Sequence, residues 1–256
     1  MKALFFDIDG TLVPIGHKGM TPSTLAALDA ARAAGHKLFI NTGRARYFID
    51  NLGDYPFDGF VCANGSLVEM GGRVVYKRPV DKADAARIID ICETARIPCV
   101  AFMQDSYRIN FLNERVEEVS RAIHTEFPDI GPLECVKEED ILEFTIYVTP
   151  EEERKYFGHI PTVIFPRWLG IFTDCTHYST SKAHGIAQVA RILGIGMEDT
   201  VAFGDGGNDI SMLRAAGLGV AMANALPEVK AAAGYIAPAA ADEGIARAFK
   251  DLGLVK

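Results

Sequence analysis

Short apolar runs that stop abruptly at polar or glycine-bearing residues set the rhythm of the chain. Ala3-Leu4-Phe5-Phe6 runs into Asp7-Ile8-Asp9-Gly10-Thr11, Lys37-Leu38-Phe39-Ile40 into Asn41-Thr42-Gly43-Arg44, and Phe60-Val61-Cys62-Ala63 into Asn64-Gly65. Ala3 to Phe6 leaves no room for a polar face, which predicts a strand buried on both sides at the centre of a parallel sheet. Between the first two runs, Thr21-Pro22-Ser23 places a capping hydroxyl before a proline suited to a first helical turn, and an alanine-rich helix follows to Ala34, closed by Gly35. Strand, helix and strand at this spacing form a right-handed crossover. A helix over about Ala45 to Leu52 continues the alternation. The three strands then finish at one sheet edge, where open α/β sheets bind their ligands.

From Ser66 the texture changes. Leu67-Val68 and Val74-Val75-Tyr76 flank Gly71-Gly72 and predict a hairpin. About Asp81 to Tyr178 then reads as a separate α+β unit. It opens with a helix that Asp81 can cap and Pro98 ends, running to about Arg96. Strands follow at Cys99 to Met103 and Tyr107 to Phe111, with a helix from about Asn113 to Phe127. A strand at Phe144 to Val148, a short helix from Pro150 to Phe157, and strands at Thr162 to Phe165 and Gly170 to Thr173 complete the unit.

From Ser179 the first rhythm returns. A helix from about Lys182 to Leu193 is closed by Gly194, and the strand Thr200 to Phe203 runs into Gly204-Asp205-Gly206-Gly207-Asn208-Asp209. A helix holding Ile210, Met212 and Leu213, a short strand near Leu218 to Ala221, a helix from about Pro227 and another from about Asp242 to Phe249 follow. The expected fold class is α/β: a Rossmann-like parallel-sheet core in residues 1–80 and 179–256, interrupted by an α+β unit inserted at 81–178.

Composition narrows the function classes. With 49% hydrophobic residues in a chain of 256, there is ample material for a core. The balance of 26 basic against 34 acidic residues argues against binding nucleic acid or an anionic membrane surface. No apolar run approaches the roughly 18 residues of a membrane span. Cys62, Cys92, Cys99, Cys135 and Cys175 are odd in number and form no C-x-x-C pair, so reduced thiols in a cytoplasmic protein are expected rather than a zinc site or disulfide framework.

The chemistry lies at the ends of the apolar runs. Asp7 and Asp9, separated by one residue, can converge on one spot, where their repulsion needs a bound cation or a raised pKa; an exposed turn is the alternative. Lys182 alone reads as a solvated lysine at a helix start, and Thr42-Gly43 as a helix-capping turn. Trp168 and Arg167 can line a substrate mouth or make an edge contact. Arg44 can face a phosphate entrance or the solvent. The six histidines, His177 and His184 among them, form no metal or triad pattern and are taken as structural or surface groups.

Taken in order, D-x-D-G-T at Asp7 to Thr11, a strand ending in Thr42, Lys182, and G-D-x-x-N-D at Gly204 to Asp209 resemble the four motifs of the haloacid dehalogenase superfamily. With an α+β insertion between the second and third motifs, the chain looks closest to the Cof-type sugar phosphatases. Ala63-Asn64-Gly65 and Asn208-Asp209-Ile210-Ser211-Met212-Leu213 also resemble that group's patterns. One departure is local: glycine usually follows the motif lysine, whereas here Ala183 follows Lys182 and Gly185 comes two positions later.

The resemblance implies an Mg²⁺-dependent phosphatase of small phosphorylated metabolites, sugar phosphates first, with an inserted cap that selects the leaving group. Asp7 would be the nucleophile that forms an aspartyl-phosphate, and Asp9 the general acid and then base. Mg²⁺ would be held by Asp7, the Asp9 main-chain carbonyl and Asp205. Thr42, Gly43, Lys182 and Asn208 would bind the phosphoryl group, with Thr42 and Lys182 stabilising the transition state. Asp209 would orient Lys182 or a metal-bound water. A phosphomutase shares this machinery and is the alternative; a phosphoryl-accepting sensor, a non-enzymatic class, lacks a comparable insertion. Oligomeric state has no signal in the sequence.

Overall fold

The strand β1 (Ala3–Phe6) lies inside an eight-stranded sheet with every residue buried. A computed structural model describes residues 1–123, 129–167 and 170–255. By compactness the chain divides into two units, Met1–Lys77 with Thr180–Lys256, and Arg78–Ser179. The first half of unit one holds α1 (Pro22–Ala33), β2 (Lys37–Asn41), β3 (Gly59–Cys62), β4 (Leu67–Met70) and β5 (Arg73–Lys77). Unit two holds α2 (Lys82–Thr94), β6 (Cys99–Phe102), β7 (Tyr107–Ile109), α3 (Glu114–Ile123), β8 (Glu143–Ile146), α4 (Pro150–Phe157), β9 (Val163–Ile164) and β10 (Thr173–His177). Unit one resumes with α5 (Lys182–Leu193), β11 (Thr200–Gly204), α6 (Ile210–Ala215), β12 (Leu218–Met222), α7 (Pro227–Lys230), β13 (Tyr235–Ala237) and α8 (Gly244–Asp251).

In unit one the strand order is β13-β12-β11-β1-β2-β3-β4-β5. The strands from β13 to β3 are mutually parallel, and the hairpin β4–β5 extends the sheet in antiparallel pairing. Alternation along β1 explains its lack of a polar face. Leu4 and Phe6 enter one core with Leu28 of α1 and Phe249 of α8, while Ala3 and Phe5 enter the other with Ile186 and Val189 of α5 and Met212 of α6. Phe6 stacks on Phe203 with centroids 5.0 Å apart and Phe5 on Phe39 at 5.1 Å, and full burial of each such ring stabilises the fold by roughly 1.5–3 kcal/mol. Helices on both faces of a mostly parallel sheet make this an α/β fold.

Unit two is an antiparallel sheet in the order β7-β6-β8-β10-β9. One core joins Cys99 and Phe144 to Ile88 and Ile89 of α2 and Phe157 of α4; another joins Val100 and Ile109 to Val116 and Val119 of α3. Thr149 and Glu152 form a capping box at the start of α4. Arg167 is spent within this unit, donating to the carbonyls of Val148 (2.8 Å) and Phe172 (2.7 Å) and pairing with Glu153 at 2.6 Å. Trp168 lies outside the described residues, as does the expected end of the third helix at Phe127. All five cysteines are free and only Cys135 is exposed. Among the described residues, no helix is long and apolar enough to cross a membrane.

Several expectations change. Ala45 to Leu52 forms only a 3₁₀ turn, Arg46–Phe48, because Arg44 Nη1 donates to the Phe48 carbonyl (2.9 Å), an acceptor that a continuing helix would need. Asp81 stands at the start of α2 without capping it, since its carboxylate pairs with Arg78 at 3.0 Å. The strand expected at Gly170 to Thr173 lies instead at Thr173–His177, where polar Asp174 faces Thr145 across the ladder and accepts its hydroxyl at 3.0 Å. The strand Tyr235–Ala237 has no counterpart among the sequence expectations. The last helix begins at Gly244 rather than Asp242, after a left-handed Glu243 (φ 61°) interrupts the chain.

Candidate active site

The carboxyl ends of the parallel strands of unit one gather the polar residues. Asp7 follows β1 directly, and its N–H continues the ladder to the Phe203 carbonyl at 3.0 Å. Asp205 follows β11, Thr42 follows β2, and Lys182 opens α5 behind Ser181, whose Oγ accepts the His184 N–H at 3.1 Å. Asn41 Nδ2 donates to the Lys182 carbonyl at 3.0 Å, pinning the start of that helix to β2. The glycine displaced from the position after Lys182 has its own reason. At Gly185 a Cβ would meet Val61 Cγ1 at 2.2 Å, so α5 rests on β3 at this residue.

Lys182 is almost fully buried, and its Nζ donates to Asp7 Oδ1 at 2.6 Å and Asp209 Oδ1 at 2.5 Å. Burial alone would lower its pKa, but the two carboxylates outweigh that and hold the ammonium above its ordinary value. Burial raises Asp7 to about 7 against the opposing pull of Lys182, with Asp209 and Asp205 adding to the rise. Asp205 rises to about 6, chiefly through burial.

Asp209 is the keystone of its loop. Its Oδ2 accepts the N–H groups of Asp205 (2.9 Å) and Gly206 (2.8 Å) while Oδ1 takes Lys182. Asp205 is held from another side, Thr11 Oγ1 donating to its Oδ1 at 2.7 Å. Gly10 makes room for this contact. It has φ +83°, and a Cβ there would lie 2.2 Å from Asp205 Oδ2, so both conformation and space require glycine.

The oxygen atoms of Asp7, Asp205 and Asp209 come within 4.8 Å of one another, the one group of metal-capable side chains found among the described residues. Three carboxylates face one ammonium, and the surplus negative charge fits a divalent cation. Carboxylate oxygen without thiol or imidazole is the donor chemistry of Mg²⁺ rather than zinc. Since Asp209 is already engaged by three donors, Asp7 and Asp205 are the carboxylates better placed to hold such an ion.

Asp9 is elsewhere. Its oxygens take a two-pronged grip from Arg44, Nε to Oδ2 at 2.8 Å and Nη2 to Oδ1 at 2.7 Å. Thr42 is buried, its N–H donating to the Val61 carbonyl (2.9 Å) and its Oγ1 accepting the Arg44 N–H (3.1 Å). Beside Gly43, Asn208 Nδ2 donates to Asn64 Oδ1 at 3.1 Å, and Asn64 holds a left-handed conformation (φ 50°) that asparagine tolerates. His184 and His177 lie outside the carboxylate cluster. His184 bonds Tyr76 and Gln188 at 3.0 Å each, and His177 contacts Arg78 at 2.6 Å within unit two.

The sequence had no assigned role for Asn41, Thr11 or the Asn64 side chain. Each sits in a segment that ends an apolar run, which is the signal that marks them. The Arg44 grip on Asp9 spans 35 residues and has no local signature.

The model of the haloacid dehalogenase-like hydrolase family matches residues 4–249. A putative phosphatase of Bacillus subtilis, YkrA, is 32% identical over the whole of this chain and 99% of its own length. The solved structure of BT4131, described as a subclass IIB sugar phosphatase of that superfamily, superposes with a TM-score of 0.91 at 37% identity, all of both chains covered. BT1666 from Bacteroides thetaiotaomicron, a phosphatase of the same superfamily, has a TM-score of 0.93 at 28% identity, covering all of this chain and 96% of that one. With a family match across nearly its whole length and relatives of equal length that are named phosphatases, the chain belongs to the haloacid dehalogenase-like hydrolases and is an enzyme of that family.

Proposed function

We propose that this hydrolase is an Mg²⁺-dependent phosphatase of small phosphorylated metabolites, with sugar phosphates as its preferred class. What carries the proposal is the buried Asp7–Lys182–Asp209 triplet beside Asp205 at the sheet edge. The class of substrate is supported by the sugar phosphatase BT4131, which matches this chain along its full length.

Hydrolysis of a phosphate monoester needs a nucleophile and strong charge compensation. A carboxylate oxygen of Asp7 attacks phosphorus in line, forming a P–O bond to Asp7 as the bond to the leaving alkoxide breaks. Lys182 keeps the Asp7 side chain oriented and sets a positive charge beside the phosphoryl oxygens, while Asp209 holds Lys182. Thr42, the Gly43 amide and Asn208 donate to those oxygens. Asp9 protonates the alkoxide and then takes a proton from the water that releases phosphate from Asp7. Both Asp9 oxygens are gripped by Arg44 in the structure, so this step begins with Asp9 leaving Arg44. Asp7, the Asp9 carbonyl and Asp205 would hold Mg²⁺, which when bound neutralises charge on the phosphoryl group. Residues 78–179, inserted between Thr42 and Lys182, are the segment that selects the leaving group, and five free cysteines support a reducing, cytoplasmic setting.

Purified protein with Mg²⁺ is expected to release inorganic phosphate from hexose and pentose phosphates faster than from nucleotides or polyol phosphates. No release from any monoester would end the phosphatase assignment. Movement of phosphate between sugar positions without release would make the enzyme a mutase instead.

Metal dependence also has a stability signature. Asp7 and Asp205 bind protons more tightly folded than unfolded, from an ordinary 3.8 to about 7 and about 6. Such groups add stability below about pH 4, and that contribution is lost as pH rises through about 6 to 7. Metal-free protein is therefore expected to melt lower at pH 8 than at pH 5, and 5 mM Mg²⁺ to raise the melting temperature more at pH 8, where carboxylates bind it without first releasing protons. Equal Mg²⁺ shifts at both pH values, read by differential scanning fluorimetry, would exclude these groups from the metal site.

A further inference from the structure

We propose that Asn224 is a positioning residue of the metal site: its side-chain amide sets the orientation in which Asp205 meets the cation. This rests on the proposal that Asp205 is a metal ligand.

Asn224 lies two residues past the end of β12, the strand beside β11, on a loop that meets the loop carrying Asp205. Its Nδ2 donates both to Asp205 Oδ2 (2.9 Å) and to the main-chain carbonyl of Gly10 (3.0 Å), and its Oδ1 accepts the N–H of Ala240 at 3.3 Å. One amide thus ties together the loop after β1, the loop after β11 and the segment between β13 and α8.

The consequence for Asp205 is geometric. Thr11 Oγ1 donates to Oδ1 and Asn224 Nδ2 to Oδ2, one donor to each oxygen from different loops. A carboxylate held at both oxygens cannot rotate about its Cβ–Cγ bond, and each oxygen keeps a lone pair for a cation. Both donors are neutral, so they fix the group without cancelling its charge, as a lysine would. The Gly10 carbonyl, held by the same amide, belongs to the turn between Asp9 and Thr11, so Asn224 also steadies the loop that follows Asp7. Hydrogen-bonding partners of metal-bound carboxylates commonly change metal affinity 10- to 100-fold when removed.

Asn224 is exposed, so its replacement leaves the cores intact. The test is calorimetric titration of full-length, metal-free protein with Mg²⁺, without substrate, on wild type, Asn224→Leu and Asn224→Ser. Leucine keeps the shape and removes the amide; serine is too short to reach Asp205 and serves if the leucine variant does not fold. The Mg²⁺ dissociation constant is expected to rise about tenfold or more in both. Phosphatase turnover at saturating Mg²⁺ is expected to recover to within about threefold of wild type, because the amide acts through Asp205 rather than on the phosphoryl group. A merely structural role would lower the metal-free melting temperature and leave the dissociation constant within twofold, which overturns the proposal. Asp205→Asn run alongside separates the two levels: unchanged Mg²⁺ binding in that variant refutes Asp205 as a ligand, whereas lost binding there with unchanged binding in the Asn224 variants refutes only the role of Asn224.

Discussion

Asp7→Asn is expected to lower phosphate release by roughly 10⁴-fold or more, the scale seen when a covalent nucleophile is removed. Asparagine keeps the shape of the side chain and an Oδ1 that accepts from Lys182, so the loss would come from chemistry and not from collapse of the site. The same substitution removes one of three carboxylates crowded around a single ammonium. Burial already pushes Asp7 up to about 7, which means the ionised group costs folding free energy above that pH. The variant is therefore expected to melt at or above the wild-type temperature at pH 8 without Mg²⁺. Low activity together with retained stability separates a nucleophile from a structural carboxylate. Mass spectrometry of wild type quenched during turnover should show a phosphoryl adduct that the variant lacks. Turnover in the variant within tenfold of wild type would remove Asp7 from its role.

Lys182→Met is expected to do the opposite to stability. The methionine fills a similar stem but leaves Asp7 and Asp209 buried without their cation, at positions where Lys182 Nζ now sits within 2.6 Å of each. Breaking a buried pair by removing one partner costs about 3–5 kcal/mol. For a protein of this size that is a fall of about 10 °C in melting temperature at pH 8 without metal. The loss should shrink at pH 5, where Asp7 can take up a proton in place of its lost partner, and shrink again with Mg²⁺. Activity at saturating Mg²⁺ should remain about 10²- to 10³-fold below wild type, because Lys182 is the cation that donates to Asp7 among the described residues. A melting temperature unchanged at pH 8 would mean that the triplet does not carry the charge balance attributed to it.

These two outcomes differ in sign because the site is overcharged. Removing a carboxylate relieves the excess and removing the ammonium deepens it. The same imbalance is what makes the group receptive to a divalent ion, so stability, metal affinity and catalysis are coupled through one cluster. Asp209 shows how the fold tolerates it: with Oδ2 taken by the Asp205 and Gly206 amides, part of its charge is met by backbone dipoles and not by Lys182 alone.

How much of this was legible in the residues differs by element. The runs Ala3–Phe6, Lys37–Asn41, Gly59–Cys62 and Thr200–Gly204 are strands because they lack a polar face, and each ends where a polar segment begins. The Thr21 cap and the Gly194 stop were equally plain, since both act within a few residues of the helix they bound. Ala45 to Leu52 misled because its pattern is local but its fate was decided by the Arg44 side chain. The strand at Thr173–His177 was misplaced because it carries Asp174, whose partner Thr145 is supplied by another strand.

By itself the sequence determined most of the strands and helices of the core, though not the strand Tyr235–Ala237, together with the residue types at their ends and the order in which carboxylate, threonine, lysine and second carboxylate occur along the chain. These follow from short-range physics: burial periodicity, capping and the conformational freedom of glycine. Only the tertiary structure decided that Lys182 meets both Asp7 and Asp209, that Arg44 grips Asp9, that Asn208 reaches Asn64, and that Asn224 reaches Asp205. Those contacts depend on which loops the strand order brings side by side, and strand order is set by packing across the whole sheet, which no window of sequence contains.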